Sequence, residues 1–217
     1  MTEIRVVFLE AVDATARLLA EPALVERFDG PSALAEFAVR GLAGHLLRAM
    51  TSAEGYLAGP EPDGSGSGVE VISAPAYYAA VAANDPDLDS DFHQAIRRRG
   101  VEAAPDKAQE LAGLWAETAD RLRALLTAAP AGRLVQVYGD LVLTLDDYLI
   151  TRLIELVVHA DDLAVSLDIA PPALPAAATG LAIATLVEVA RIRHGDTAVL
   201  RALTRRERDA VAALRVL

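Results

Sequence analysis

The sequence predicts an all-α protein: a bundle of four long helices, with two further helices at its C-terminal end. Three observations carry this expectation. Apolar residues recur at helical spacing along most of the 217-residue chain. The helical stretches are separated by Gly and Pro. Alternating, Val- and Leu-rich sequence is confined to residues 133–145, which read as a short hairpin or extended connection.

The first helix is expected over residues 2–21, where Val6, Leu9, Val12, Ala16 and Leu19 repeat on one face. Gly30-Pro31 breaks the chain. A second helix follows over roughly 35–58 and ends near Gly59-Pro60. Residues 59–68, GPEPDGSGSG, have the composition of a flexible loop. In the weakly patterned stretch after it, 74–83 and 89–99 read as short helices, the second capped by Asp89 or Ser90. A third long helix is expected over 105–129. Pro105 suits its first turn and Asp106 its dipole, and Leu111, Leu114, Trp115, Leu122 and Leu125 form its buried stripe. The fourth long helix spans about 145–168 and is stopped by Pro171-Pro172. A fifth covers about 174–194 and a sixth 197–214. Residues 1–168 are thus expected to form the bundle and 169–217 an extension packed on it, within one domain.

Composition narrows the function classes. Hydrophobic residues make up 53% of the chain, enough for a sizeable core. No apolar run reaches the ~18–20 residues of a membrane span. The N-terminal stretch carries acids where a signal peptide needs bases. A soluble, cytoplasmic protein is therefore expected. There is no cysteine, so disulfides, zinc–thiolate sites and a cysteine nucleophile are ruled out. A metal here would have to rest on His, Asp or Glu. The net charge of −11 disfavours nucleic acid and anionic membrane as partners. LTRRERDAVAAL, near the C-terminus, resembles the opening of a LuxR-type helix-turn-helix, but too little chain follows for a recognition helix.

The fourth helix carries the chemistry. Tyr148, Arg152, Glu155, His159, Asp162 and Ser166 fall within an arc of about 80° on a helical wheel, and Leu, Ile and Val fill the rest. Such a helix is expected to be surrounded by protein, with its narrow polar stripe lining either a cleft or a strip of solvent. Glu155 and His159 are one turn apart and point the same way, so both can touch one ion. They cannot saturate it. Among the other histidines, His93 lies in a charged segment and reads as exposed, and His194 sits at a helix end where its charge suits the dipole. His45 shares an otherwise small, apolar face with Ala38, Leu42 and Ala49, and Gly41 and Gly44 leave room there for another element. An inward histidine needs a partner for its ring nitrogens. A His45, Glu155, His159 triad would leave coordination positions open, as a catalytic metal requires. Zinc is the first expectation; nickel and iron accept the same donors. Arg152 is the catalytic candidate, placed to orient Glu155 or to meet an anionic substrate. Asp162 is placed to hold His159. The competing readings are a salt-bridged helix face with a hydrogen-bonded core histidine, and a bundle that binds a metal or ligand without turnover.

Two segments at these residues resemble a known family. FAVRGLAGHLLRA and LTLDDYLITRLIELVVHADDLAVSL are similar to the mycothiol-dependent maleylpyruvate isomerase-like proteins of the DinB/YfiT superfamily. The matching residues are Val39, Arg40, Gly41, Leu42, His45 and Leu46, then Arg152, Glu155, His159, Asp162 and Leu163. Gly41 stands where the family usually has Asp. The C-terminal stretch resembles members of actinobacterial type. The resemblance implies a DinB-like up-down-down-up four-helix bundle, a divalent metal held by His45, Glu155 and His159, and mycothiol as cosubstrate. The isomerase type carries a further α/β domain, whereas the residues after 168 read here as helix. A thiol S-transferase or a cis–trans isomerase acting on a small electrophile is the expected activity. A metal lowers the pKa of a thiol, and the resulting thiolate is the nucleophile. Added to an electrophilic alkene, it either leaves after bond rotation or stays attached. The expected partners are a small-molecule thiol, a small electrophile and, as an option, a second copy of the chain.

Overall fold

The computed structural model describes residues 1–62, 70–81, 90–137, 140–207 and 210–216. Most of the expected 59–68 loop, the end of the helix at 74–83, the Asp89 cap and the turn at Gly139 lie outside these residues. The described chain is mostly helical. Its elements are α1 (Glu3–Leu19), α2 (Pro22–Arg27), α3 (Val39–Ala58), α4 (Ala74–Val81), α5 (Asp91–Ala103), α6 (Ala108–Ala128), β1 (Leu134–Gln136), β2 (Val142–Thr144), α7 (Leu145–Leu167), α8 (Ala176–His194), α9 (Asp196–Thr204) and α10 (Ala210–Leu214). No described helix is long and apolar enough to cross a membrane.

The four long helices α1, α3, α6 and α7 share one core. Each of α1 and α3 packs on both α6 and α7. Phe8, Val12, Leu42, Leu46, Met50, Leu111, Leu122, Leu149, Leu153 and Leu163 are all excluded from solvent. The buried Trp115 indole donates to the Val12 carbonyl at 3.2 Å, which satisfies its one polar atom. A second apolar cluster joins α4 and α7 to the C-terminal helices through Tyr78, Ile154, Ala182, Val189, Val199 and Val216.

Several boundaries differ from expectation for local reasons. The second long helix starts at Val39, because 31–38 closes a small loop in which Pro31 bridges Ala38 and the Ser32 N–H donates to the Phe37 carbonyl. The helix expected from 105 starts at Ala108, with Lys107 as its cap, so Pro105 and Asp106 precede it. The sixth helix is split into α9 and α10. In α1, Val6 faces solvent, and the buried face is turned to include Arg5 and Phe8.

Arg5 is the chief surprise of that face. Its guanidinium is 2% exposed. Nε donates to Asp146 at 3.0 Å, Nη1 to the Leu126 and Ala129 carbonyls, and Nη2 to the Pro130 carbonyl. One side chain thus ties the start of α1 to the end of α6 and the start of α7. The carbonyls at a helix C-terminus have no partner within the helix, and a cation there satisfies them.

The hairpin sets up α7. β1 and β2 pair antiparallel, Leu134 opposite Thr144 and Gln136 opposite Val142. Thr144 then caps α7 by accepting from the Asp147 N–H at 3.0 Å. The Asp147 carboxylate accepts from the Ala74 N–H at 3.0 Å and so pins the first residue of α4 beside the first turn of α7.

Helix α5 lies against α3 through backbone. A Cβ on Gly44 would run into the Gly100 carbonyl oxygen, and one on Gly100 would meet the Gly41 carbonyl at 2.5 Å. Gly44→Ala should therefore destabilise the fold by about 1–3 kcal/mol, since neither backbone can yield. Gly113→Ala, in the open interior of α6, should stabilise it by roughly 0.5–1 kcal/mol. Urea unfolding of the two variants checks this opposition of sign. Arg5→Ala should cost about 3 kcal/mol or more, because it leaves Asp146 and three carbonyls without a partner; the same titration measures it.

Candidate metal centre

The expected triad comes together. His45 from α3 meets Glu155 and His159 from α7. The His45 Nε2 lies 2.9 Å from Glu155 Oε2, and the His159 Nε2 lies 3.3 Å from the same oxygen. The two imidazole rings stand edge to face, with centroids 4.8 Å apart. One ligand atom from each of the three residues lies within 4.8 Å of the others. Donors that share an ion at roughly 2 Å stand roughly 3–4 Å apart, so these side chains are grouped at the right scale. The donor chemistry, two imidazole nitrogens and one carboxylate oxygen, fits a divalent ion.

The surroundings fix each donor. His159 Nδ1 lies 2.9 Å from Asp162 Oδ2, so the far nitrogen is held by a carboxylate and Nε2 is left facing the triad. Glu155 Oε1 accepts from the Tyr78 hydroxyl at 2.9 Å, which leaves Oε2 to the histidines. The same hydroxyl is 2.9 Å from the Thr151 carbonyl. Tyr78 is buried, and burial together with the Glu155 charge pushes its pKa well up, so it remains a donor. His45 packs edge-on to Phe37, with centroids 6.2 Å apart, and its buried Nδ1 has no hydrogen-bond partner among the described residues.

The charges in this small volume oppose and support one another. Burial disfavours the Glu155 carboxylate, but His159, His45 and Arg152 outweigh it and hold its pKa well below the ordinary value. Burial keeps His45 neutral, against the pull of Glu155. For His159 the balance reverses. Burial opposes its charge, yet the hydrogen bonds it donates to the Asp162 and Glu155 carboxylates raise its pKa to about 9. The balance therefore favours charge on Glu155 and His159 and disfavours it on His45.

Arg152 lies one turn before Glu155 without pairing to it directly. Its guanidinium sits over the Tyr148 ring, 5.2 Å from the centroid, and Nε donates to Thr151 Oγ1 at 3.1 Å. Burial works against its charge, but Tyr148, Glu155, Tyr78 and Tyr77 together push its pKa up. Ser166, on the same wheel face, is structural: it donates to the Asp162 carbonyl and accepts from the Ala33 N–H. His194 is exposed at the end of α8. His93 is half-buried on α5 rather than exposed, because α5 leans on α3. Neither belongs to the triad. Tyr78 was not legible beforehand; SAPAYYAAV is apolar on every side, and nothing in its spacing marks the second tyrosine.

A helical protein whose clustered His, Glu and His side chains could hold one metal ion is the class this arrangement defines. Residues 8–164 match the family described as mycothiol maleylpyruvate isomerase N-terminal domain, and the chain belongs to that family. No curated protein and no solved structure matches it.

The pKa of His159 is raised on folding, so the stability it contributes is complete below its ordinary value of 6.5 and is lost as pH climbs through about 9. Urea titrations of chelator-treated protein should show that decline between pH 6.5 and 9. In the same protein, the His159 imidazole resonances should titrate near 9, and Asp162→Asn should lower that midpoint.

Proposed function

We propose that the protein is a metal-dependent enzyme that uses a low-molecular-weight thiol, mycothiol or a close analogue, on a small electrophile. The reaction is S-transfer or thiol-assisted cis–trans isomerisation. The observation that carries this reading is the convergence of His45, Glu155 and His159, together with the family to which the chain belongs. The absence of cysteine adds support, since the sulfur has to come from outside.

The reading includes a DinB-like up-down-down-up bundle over residues 1–168. Its support is the packing of α1 and α3 on both α6 and α7. Residues 169–217 form the extension, supported by the contacts of α8 with α4, α7 and α1.

The roles follow from the geometry. His45, Glu155 and His159 hold the ion, with zinc first among nickel and iron. When bound, a divalent ion supplies a Lewis acid that lowers the pKa of a thiol toward neutrality. Asp162 fixes the His159 ring, and Tyr78 fixes the Glu155 carboxylate. Tyr78 and Thr151 are both buried. Arg152 stays cationic and offers a charge to an anionic substrate one turn from the donors.

The two chemistries differ in thiol balance. In S-transfer the thiol gives up its S–H proton and a carbon–sulfur bond forms. On an alkene the π bond breaks and the neighbouring carbon takes the proton; at an activated carbon the leaving group departs with the bonding pair and the proton is released. Either way one thiol is consumed per product. In isomerisation the carbon–sulfur bond forms and breaks again, so the thiol is regenerated.

Metal-loaded protein should process electrophilic alkenes or activated carbon centres in the presence of mycothiol. His159→Ala should lose the metal, as read by emission spectroscopy, and all activity with it. Arg152→Ala should keep the metal and raise KM for anionic electrophiles about tenfold or more, the scale of one charge-assisted hydrogen bond. Stoichiometric metal in His159→Ala would sink the triad. Bound metal with no turnover across a broad panel would leave a binding module.

A further inference from the structure

Helices α3 and α7 run antiparallel beside the triad. His45 faces Glu155 at one level. Further along, the Tyr56 and Tyr148 rings meet edge to face, with centroids 5.0 Å apart. Residue number rises along α3 as it falls along α7. Between the two contacts lie Arg48, three residues after His45, and Arg152, three residues before Glu155. Helical spacing keeps each arginine on the face of its neighbouring ligand.

Among the described residues, neither arginine forms an ion pair with an acid. Arg5, Arg40, Arg98, Arg121, Arg123, Arg133, Arg191 and Arg206 all sit on carboxylates. Among the described residues, Arg48 makes no ion pair, and the one hydrogen bond of the Arg152 side chain goes to a hydroxyl. Glu155 is already engaged by two histidines and a tyrosine. Arg48 is half-buried, and Arg99 from α5 and Arg152 lie close enough to repel it. Glu155 is the acid that couples to Arg152, but it is shared with the two histidines and the tyrosine. Among the described residues the three arginines therefore carry more positive charge than the acid beside them offsets.

We propose that Arg48 and Arg152 form a subsite for an oxyanion, one helical turn from the triad, with Arg99 at its edge. It takes the carboxylate or phosphate of a small substrate. Two guanidinium groups offer forked donors that match the flat or tetrahedral oxygens of such a group. Tyr148 stacks on Arg152 and holds it in place. Tyr56 meets the Tyr148 ring edge to face, which brings a second aromatic ring beside it. A substrate anchored here would present its reacting carbon toward the triad. That last step rests on the proposed function; the binding of the anion does not.

The test uses the full-length protein by titration calorimetry at low ionic strength, in chelator and again with zinc. Malonate and inorganic phosphate are the anionic probes and malonamide is the neutral one. One anion per chain should bind, with or without zinc, and malonamide should not. Arg48→Gln should weaken binding about tenfold or more, the double variant Arg48→Gln/Arg152→Gln should remove it, and Arg48→Lys should restore part of it. Arg17→Gln, on the far end of α1, should change nothing. Tighter malonate assigns a carboxylate, and tighter phosphate assigns a phosphoryl group. Absence of binding by either anion overturns the proposal, as does unchanged affinity in a folded Arg48→Gln or Arg152→Gln protein. Anion binding without any thiol chemistry would fail the enzyme reading alone. Thiol chemistry that is indifferent to Arg48 would fail the subsite alone.

Discussion

A carboxylate kept charged while largely out of water is the constraint on which the site depends. Glu155 remains ionised there because His159 from its own α7 and His45 from α3 reach it and Arg152 adds its charge, while Tyr78 from α4 donates to its other oxygen. Removing water from a carboxylate costs several kcal/mol, and only well-placed partners offset that. The helices that bring those partners therefore have to arrive in register. This is why so much of the structure fixes the relative height of α3, α4 and α7.

Each of those helices is fixed by a different device. α7 starts where the hairpin ends and is capped by Thr144. α4 is fastened at its start by Asp147 and farther along by Arg193, whose Nη2 donates to the Tyr78 carbonyl at 3.1 Å while Nη1 donates to the Val216 carbonyl. The C-terminal helices thereby reach the candidate site through one intermediary, the tyrosine that holds Glu155. α3 is set by its backbone contact with α5, which leaves His45 beside Gly100 rather than beside a bulky side chain.

The long helices were legible because burial of one face writes itself into spacing. Elements shorter than two turns leave no such record, and so α2, six residues from Pro22, was missed. The triad was legible for a related reason. Glu155 and His159 share a face by local geometry alone, and His45 stands out as a polar residue on an apolar stripe. Groups whose role comes from distant chain were not. Arg5 reads as an ordinary surface charge until the end of α6 is placed over it. Tyr78 lies in a helix with no polar face. Arg48 follows the same rule, since its lack of an acid partner exists only once α7 lies alongside.

The contact of Gly44 with Gly100 has a consequence for how such a protein can diverge. Where two backbones touch, no side chain is available to absorb a replacement on either strand of the pair, and the energetic effects of changes there do not add. A relative that enlarges one of these positions has to re-seat the whole of α5, and so the two sites can drift only as a linked pair. Because His45 is the next residue along from Gly44 and its Cβ lies against Gly100, re-seating α5 would also change what surrounds the imidazole.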